Sequence, residues 1–544
     1  MIKRIKNKIK KIIKNLEDKP IDLKNWLVAF FSIVAVRIFV EAVVLGFPKR
    51  SLEEFLFLFI HAFLFFLLVY LVFLVFLSKA LRLETRKIAN VLLWGFWIII
   101  LPPIIDGVVF FEKGFKSFYI FDGLAGLVKR FFLFFGENPD WGITLGTRVE
   151  VFLVLVLLFF YAFFKKKNIL KSLLVVLVGY AIFFIFGVLP SIVGIVLGVF
   201  AEGGVMMVRE FDIAALFMSP YEFFGIKGKE ITSFLPRKMS AIYLLLIFAS
   251  IAVFQYRNSK QKFFALLKNT RPLQAVYNLG LLFIGLGLGL FNYGENFQLD
   301  FFSILTLLNL MLVVFSAWYF SVFVNDYFDC QIDKISNKER PLVSGVFSKK
   351  EFVDISLVFL LLSLVAALVI NPLFFWLVLF YHVLTWIYSA PPFRLKRFFV
   401  FSNLIIAAAS VLFIFIGFLV FSGEELFKAF PWSLAGFFFL AYFFILPIKD
   451  FKDIKGDKKN GVYTLPVLIG EELARLFLAS ALFVFYFLSV YIVNEPGMFL
   501  PALVFGSASF FVVASKKTET RKMGSRVFAL VFLYGLLSVW IIFS

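Results

Sequence analysis

Two long apolar runs, Phe55 to Leu77 and Leu473 to Val493, limit what this chain can fold into. Each reaches the roughly 20 residues that an α-helix needs to cross about 30 Å of hydrocarbon, and similar runs recur through all 544 residues. The chain is 62% hydrophobic and 20% aromatic, against about 45–50% apolar residues in a soluble domain. Water cannot be the solvent for most of such a surface. Backbone groups in lipid must find partners within their own segment, so helices dominate. The expected fold class is an all-α polytopic membrane protein.

The net charge of +20 does not point to nucleic acid, because the basic residues sit in short connections between apolar runs rather than along one polar face. The opening MIKRIKNKIKKIIKNLEDKP is a basic amphipathic stretch suited to anionic headgroups or to a solvated flank. Trp26 to Phe47 is too long for a signal-peptide core and lacks a small-residue cleavage site, so it reads as a first span. The single cysteine, Cys330, leaves no intrachain disulfide and no cysteine-based metal site. His61 and His382 lie apart in apolar context and read as packed helix residues.

Punctuation by Pro, Gly and charge gives six spans before Arg257, at about 26–47, 54–78, 90–111, 147–164, 169–200 and 239–256, the fifth kinked or broken at Pro190. Segments 112–146 and 201–238 read as loops with interfacial helices. Arg257 to Arg271 carries five positive and no acidic residues and separates two hydropathic blocks. The expected organisation is therefore a membrane block over 1–256, a basic cytoplasmic linker over 257–271 and a second block over 272–544. Nine spans follow in the second block, at about 273–291, 301–324, 351–370, 372–388, 400–421, 432–448, 472–493, 498–515 and 526–543. Its connections alternate, one set holding eighteen Lys and Arg and the other one. The positive-inside rule places the first set in the cytoplasm.

Those cytoplasmic connections hold nearly all the unusual polar sequence. The first reads NDYFDCQIDKISNKERPLVSG, and on a continuing helix Asn325, Asp329 and Asp333 follow at i, i+4, i+8, with Asp326 one position round. The third reads KDFKDIKGDKKNGVYTLPVLIG, with Asp450, Asp453 and Asp457 at i, i+3, i+7. Like charges so close repel unless a cation sits among them. Mg²⁺ takes oxygen ligands and is usually held by one or two carboxylates together with substrate phosphates. Two such clusters, interleaved with Lys449, Lys452, Lys455 and Arg340, suit a Mg²⁺-bridged diphosphate better than a bare ion. Between them lies YSAPPFRLKR, in which Pro391 and Pro392 end a helix and Arg394, Lys396 and Arg397 follow.

The three motifs in this order, with nine helices, resemble the UbiA superfamily of intramembrane prenyltransferases over roughly residues 268–544, and KNTRPLQAVYN resembles the family's opening segment. The resemblance implies a nine-helix bundle around a central cavity that opens to lipid and is capped by cytoplasmic loops. It implies Mg²⁺ ligands at Asn325, Asp329, Asp453 and Asp457, and a catalytic acidic shell completed by Asp326, Asp333 and Asp450. It implies that Arg340, Arg394, Lys396 and Lys449, with Tyr388 at the head of the middle motif, hold the substrate diphosphate.

The expected chemistry is prenyl transfer from a prenyl diphosphate to a lipophilic acceptor, a quinone-type aromatic precursor or a glycerol lipid, within the bilayer. Departing diphosphate is stabilised by cations, and an allylic carbocation is left for the acceptor to attack. A CDP-alcohol phosphotransferase is disfavoured, because its D-G-x-x-A-R motif is absent. A transporter or lipid-binding role, with Arg37 and Glu41 as intramembrane charges, remains an alternative for residues 1–256.

Overall fold

The computed structural model describes residues 2–45, 52–109, 123–136, 143–198, 209–218, 222–223, 226–227, 234–297, 299–422, 428–452, 454–459 and 461–543. Among the described residues, fifteen helices are long and apolar enough to cross a membrane, six before residue 259 and nine after residue 271, as the hydropathy pattern predicts. The chain divides into two compact units, one over residues 1–222 and 227–263, the other over 223–226 and 264–544.

The first unit begins with α1 (Ile2–Glu17), the amphipathic helix, followed by α2 (Leu23–Leu45), α3 (Leu52–Leu81), α4 (Thr85–Gly95) and the short α5 (Leu101–Ile104). Next come α6 (Gly123–Phe132), α7 (Leu145–Lys166), α8 (Ile169–Gly187), α9 (Leu189–Gly198), α10 (Glu210–Met218) and α11 (Phe234–Asn258). The fifth span breaks at Val188, so that Pro190 stands in the first turn of α9, where its missing N–H leaves no helical bond unmade. Helix α3 is central and packs on α11, α8, α4 and α7.

Polar bonds fasten the end of α1 to this bundle. Asn90 donates to the carbonyls of Glu17 and Lys19 at 2.9 and 2.7 Å. Glu17, buried, accepts from the Tyr161 hydroxyl at 2.8 Å and pairs with Lys165 at 2.6 Å.

Helix α12 (Lys260–Asn269) carries the division between the units. The segment expected as a linker is thus largely helical, since Ser259 caps it by accepting from Lys262 N at 3.3 Å and Phe263, Phe264, Leu266 and Leu267 give it apolar content.

The second unit continues with α13 (Pro272–Asn292), α14 (Phe301–Phe328), α15 (Cys330–Ser336), α16 (Lys349–Ile370), α17 (Pro372–Ser389) and α18 (Phe399–Ser422). Then follow α19 (Trp432–Ile445), α20 (Ile454–Lys459), α21 (Leu465–Ile469), α22 (Glu471–Val493), α23 (Phe499–Ala514) and α24 (Thr520–Phe543). Its tightest pairing is α13 on α18, where glycines let two backbones touch: a Cβ at Gly285 would lie 2.0 Å from the Ile414 carbonyl oxygen, and one at Gly417 2.3 Å from that of Leu282. Helix ends are set by local signals. Asp300 accepts from Ser303 N before α14, Ser348 and Glu351 form a capping box before α16, and Pro372 follows the Asn371 cap of α17.

Candidate active site

Helix α14 runs out of its span directly into the first acidic motif. Successive residues on a helix are turned by about 100°, so residues seven apart differ by only about 20° and residues eight apart by about 80°. The motif therefore splits between two faces. Asn325 and Asp329 form one pair, and Asp326 and Asp333 form the other. Asp333 does not join the row with Asn325 and Asp329 that its i+8 spacing suggests, because two turns bring it under Asp326.

The Asp326–Asp333 face is a buried ion-pair hub. Asp326 is 1% exposed. Its carboxylate accepts from Arg271 Nη2 at 2.5 Å, from Asn269 Nδ2 at 3.1 Å and from Arg340. Arg340 also stands 3.7 Å from Asp333, which accepts from Asn337 Nδ2 at 2.8 Å. Burial pushes the Asp333 carboxyl up to about 6, against the opposing hydrogen bond from Asn337. Arg271 reaches its carboxylate from a left-handed backbone, with φ 51°, and burial lowers its guanidinium pKa despite nearby aspartates. Asn269 and Arg271 lie in the opening KNTR segment, to which sequence reasoning gave no site role. A basic residue just before a helix looks like topology alone.

The Asn325–Asp329 face meets the middle motif. Lys396 Nζ donates to Asn325 Oδ1 at 2.9 Å and also pairs with Asp329. Arg394 Nη2 lies 2.8 Å from the other Asp329 oxygen, and Ser389 Oγ is 3.5 Å from Asn325 Oδ1. Burial lowers the Lys396 ammonium pKa, with the Asp329 charge pulling the other way. Arg394, like Arg271, has a left-handed backbone, at φ 44°. Such a conformation costs about 1–2 kcal/mol for a residue with a Cβ. Two of the four motif residues are thus each clamped by an arginine held in an unfavourable backbone region.

The second acidic motif joins from the turn after α19. Lys449 Nζ stands 5.9 Å from the centre of the Tyr388 ring, linking it to the end of α17. Asp457 on α20 is half-buried and accepts from Thr464 Oγ1 at 3.4 Å, and α20 packs beside α15. Asp450 lies half-buried in the turn Leu446–Lys452, and Asp453 is outside the described residues. A parallel bridge fastens the last two loops together: Tyr463 N donates to Arg397 O at 2.9 Å and Phe399 N to Tyr463 O at 3.1 Å. All three motifs therefore meet at one end of the second unit.

Among the described residues, no three His, Cys, Asp or Glu side chains converge as a ready-made metal cage. The Asn325 carbonyl and Asp329 carboxylate, facing the same Lys396 ammonium, are nevertheless hard oxygen donors placed for one cation. That donor set fits Mg²⁺, which completes its shell with water and substrate phosphate instead of an all-protein cage.

A family model described as the UbiA prenyltransferase family matches residues 281–536. Digeranylgeranylglyceryl phosphate synthase from Methanococcoides burtonii is 32% identical over 231 residues, 40% of this chain and 76% of that protein. The chloroplastic chlorophyll synthase of Avena sativa is 31% identical over 169 residues, 29% of this chain, and the chain spans only 43% of its length. A solved UbiA homolog from Archaeoglobus fulgidus bound to GPP and Mg²⁺ is 22% identical, with 52% of this chain and 100% of that one covered at a TM-score of 0.40.

Proposed function

The chain belongs to the UbiA prenyltransferase family, and from that premise we propose that its second unit transfers a prenyl group from a prenyl diphosphate to a lipophilic acceptor in the membrane, with Mg²⁺. The observation that carries this reading is the pairing of Asn325 and Asp329 with Arg394 and Lys396, which sets two cations beside one carboxylate and one carbonyl. Mg²⁺, when bound, neutralises charge developing on the diphosphate as its bond to the allylic carbon breaks.

Asn325 and Asp329 would hold the metal on the first motif, and Asp453 and Asp457 would hold it on the second. Lys396 and Arg394 turn to the phosphate oxygens and stabilise the leaving diphosphate. Tyr388 places Lys449 over the same end of the site, and Asp450 balances that charge. Asp326, Asp333 and Arg340 act one step back, as residues that position the end of α14. The apolar spans around this end keep water from the allylic cation.

The first acceptor to consider is a glyceryl phosphate lipid, because the relative matched over 76% of its length makes digeranylgeranylglyceryl phosphate. The chlorophyll synthase likeness supports a ring-bearing acceptor as the second reading. The alternation of Lys and Arg between connections supports a cytoplasmic placement of the motif loops. Mass spectrometry of products formed by the purified full-length protein, from geranylgeranyl diphosphate and a panel of both acceptor types, tests the proposal. Prenylated product that forms with Mg²⁺ and vanishes with EDTA is expected, and no product from any pair would overturn it.

A further inference from the structure

The first unit holds a cavity of about 260 Å³ between its spans. Its walls are mostly aromatic and aliphatic, including Phe65, Phe73 and Phe183, yet Arg37, His61, Glu150 and Tyr243 line it as well. They come from α2, α3, α7 and α11, each within a membrane-spanning helix. Ionisable side chains at such depth are expensive unless paired or put to use.

The pairing here is incomplete. Arg37 Nη1 is bound to Glu41 at 2.5 Å and its guanidinium lies over the Phe66 ring, while its buried Nε has no hydrogen-bond partner among the described residues. No hydrogen bond or salt bridge to Glu150 is formed among the described residues, and its side chain lines the cavity. Arg37 and Glu41 cancel each other's charge within α2.

We propose that this cavity binds the head and first carbons of a lipophilic alcohol. A hydroxyl donates its proton to Glu150 and accepts from the guanidinium side, using both kinds of group the lining offers. A ketone or ester only accepts and leaves an acceptor oxygen of Glu150 unmet. A phosphate adds negative charge beside Glu41 and Glu150, and an ammonium adds positive charge beside Arg37. The volume lies just under the ~300–1,000 Å³ of small-molecule sites, so it takes the polar end and the chain's first segment. This inference is independent of the reading of the second unit.

Photolabelling of the full-length protein in nanodiscs tests it, using diazirine-bearing long-chain primary alcohol, amine and phosphate probes of equal length. Peptides of α2, α3 and α7 are expected to be labelled by the alcohol at least fivefold more than by the other two, with excess unlabelled alcohol competing. Glu150→Leu should reduce that labelling about tenfold. Gly95→Leu is a second variant that keeps every charge: Gly95 lines the cavity, and a Cβ there meets no atom within 4 Å. It should block labelling by filling space. Equal labelling by all three probes, preference for the amine or the phosphate, or labelling unchanged in a folded Gly95→Leu protein overturns the proposal.

Discussion

Asp326 and Asp329 are three residues apart and each pairs with two cations, but Asp326 is 1% exposed and Asp329 15%, and their proposed roles differ, which separates their expected phenotypes. Asp326 is buried under Arg271, Arg340 and Asn269, and breaking such a hub leaves charges uncompensated, at on the order of 3 kcal/mol. Asp326→Ala should therefore lower the unfolding temperature of the detergent-solubilised protein clearly, with turnover falling in step. Asp329→Ala should leave that temperature within a few degrees and abolish turnover even at saturating Mg²⁺. Equal melting of the two variants would show that the hub does not stabilise the fold. Lys396 and Arg394 touch Asp329 and, in the proposed function, serve the phosphate end of the substrate. Lys396→Ala and Arg394→Ala are expected to raise KM for prenyl diphosphate by about 10–100-fold, the loss of one or two charge-assisted hydrogen bonds. KM for the acceptor should be unchanged. Steady-state kinetics with each substrate varied in turn decides this.

At the scale of elements, the Phe398–Tyr463 bridge joins the loop of cations to the second acidic motif. Tyr463→Pro removes the N–H that Arg397 accepts. It should raise KM for prenyl diphosphate severalfold with little change in unfolding temperature; kinetics identical to the parent protein would mean the loops hold their places without the bridge. The spans themselves were legible from hydropathy because apolar length in lipid has one solution, the helix, and Pro190 announced the break at Val188. The division of the first motif was not. Its spacing suggested one row through Asn325, Asp329 and Asp333, but Asp333 lies nearer the direction of Asp326, and Arg340 binds both. Nor could Asn269 and Arg271 be assigned, since their carboxylate partner is more than fifty residues away and only packing brings them together.

For the molecule as a whole, the three motifs and nine spans lie in the second unit, and the residues that hold Asp326 begin at Asn269. A chain starting at Lys260 should insert and retain prenyl transfer, and residues 1–256 alone should have none. Activity assays of both, with cysteine-accessibility labelling of 325–350 and 449–471 for orientation, provide the check. A truncated protein with those loops correctly placed yet inactive would show that the first unit supplies part of the site. The hub around Asp326 also bears on the order in which the protein is made. Its partners lie at 269, 271 and 340, so it can close as soon as residue 340 has left the ribosome, before α16 has emerged. Asn325 and Asp329 must wait for Lys396, and for the second motif still later. Synthesis from the N-terminus thus sets the frame of the site first and brings its reactive groups to it last.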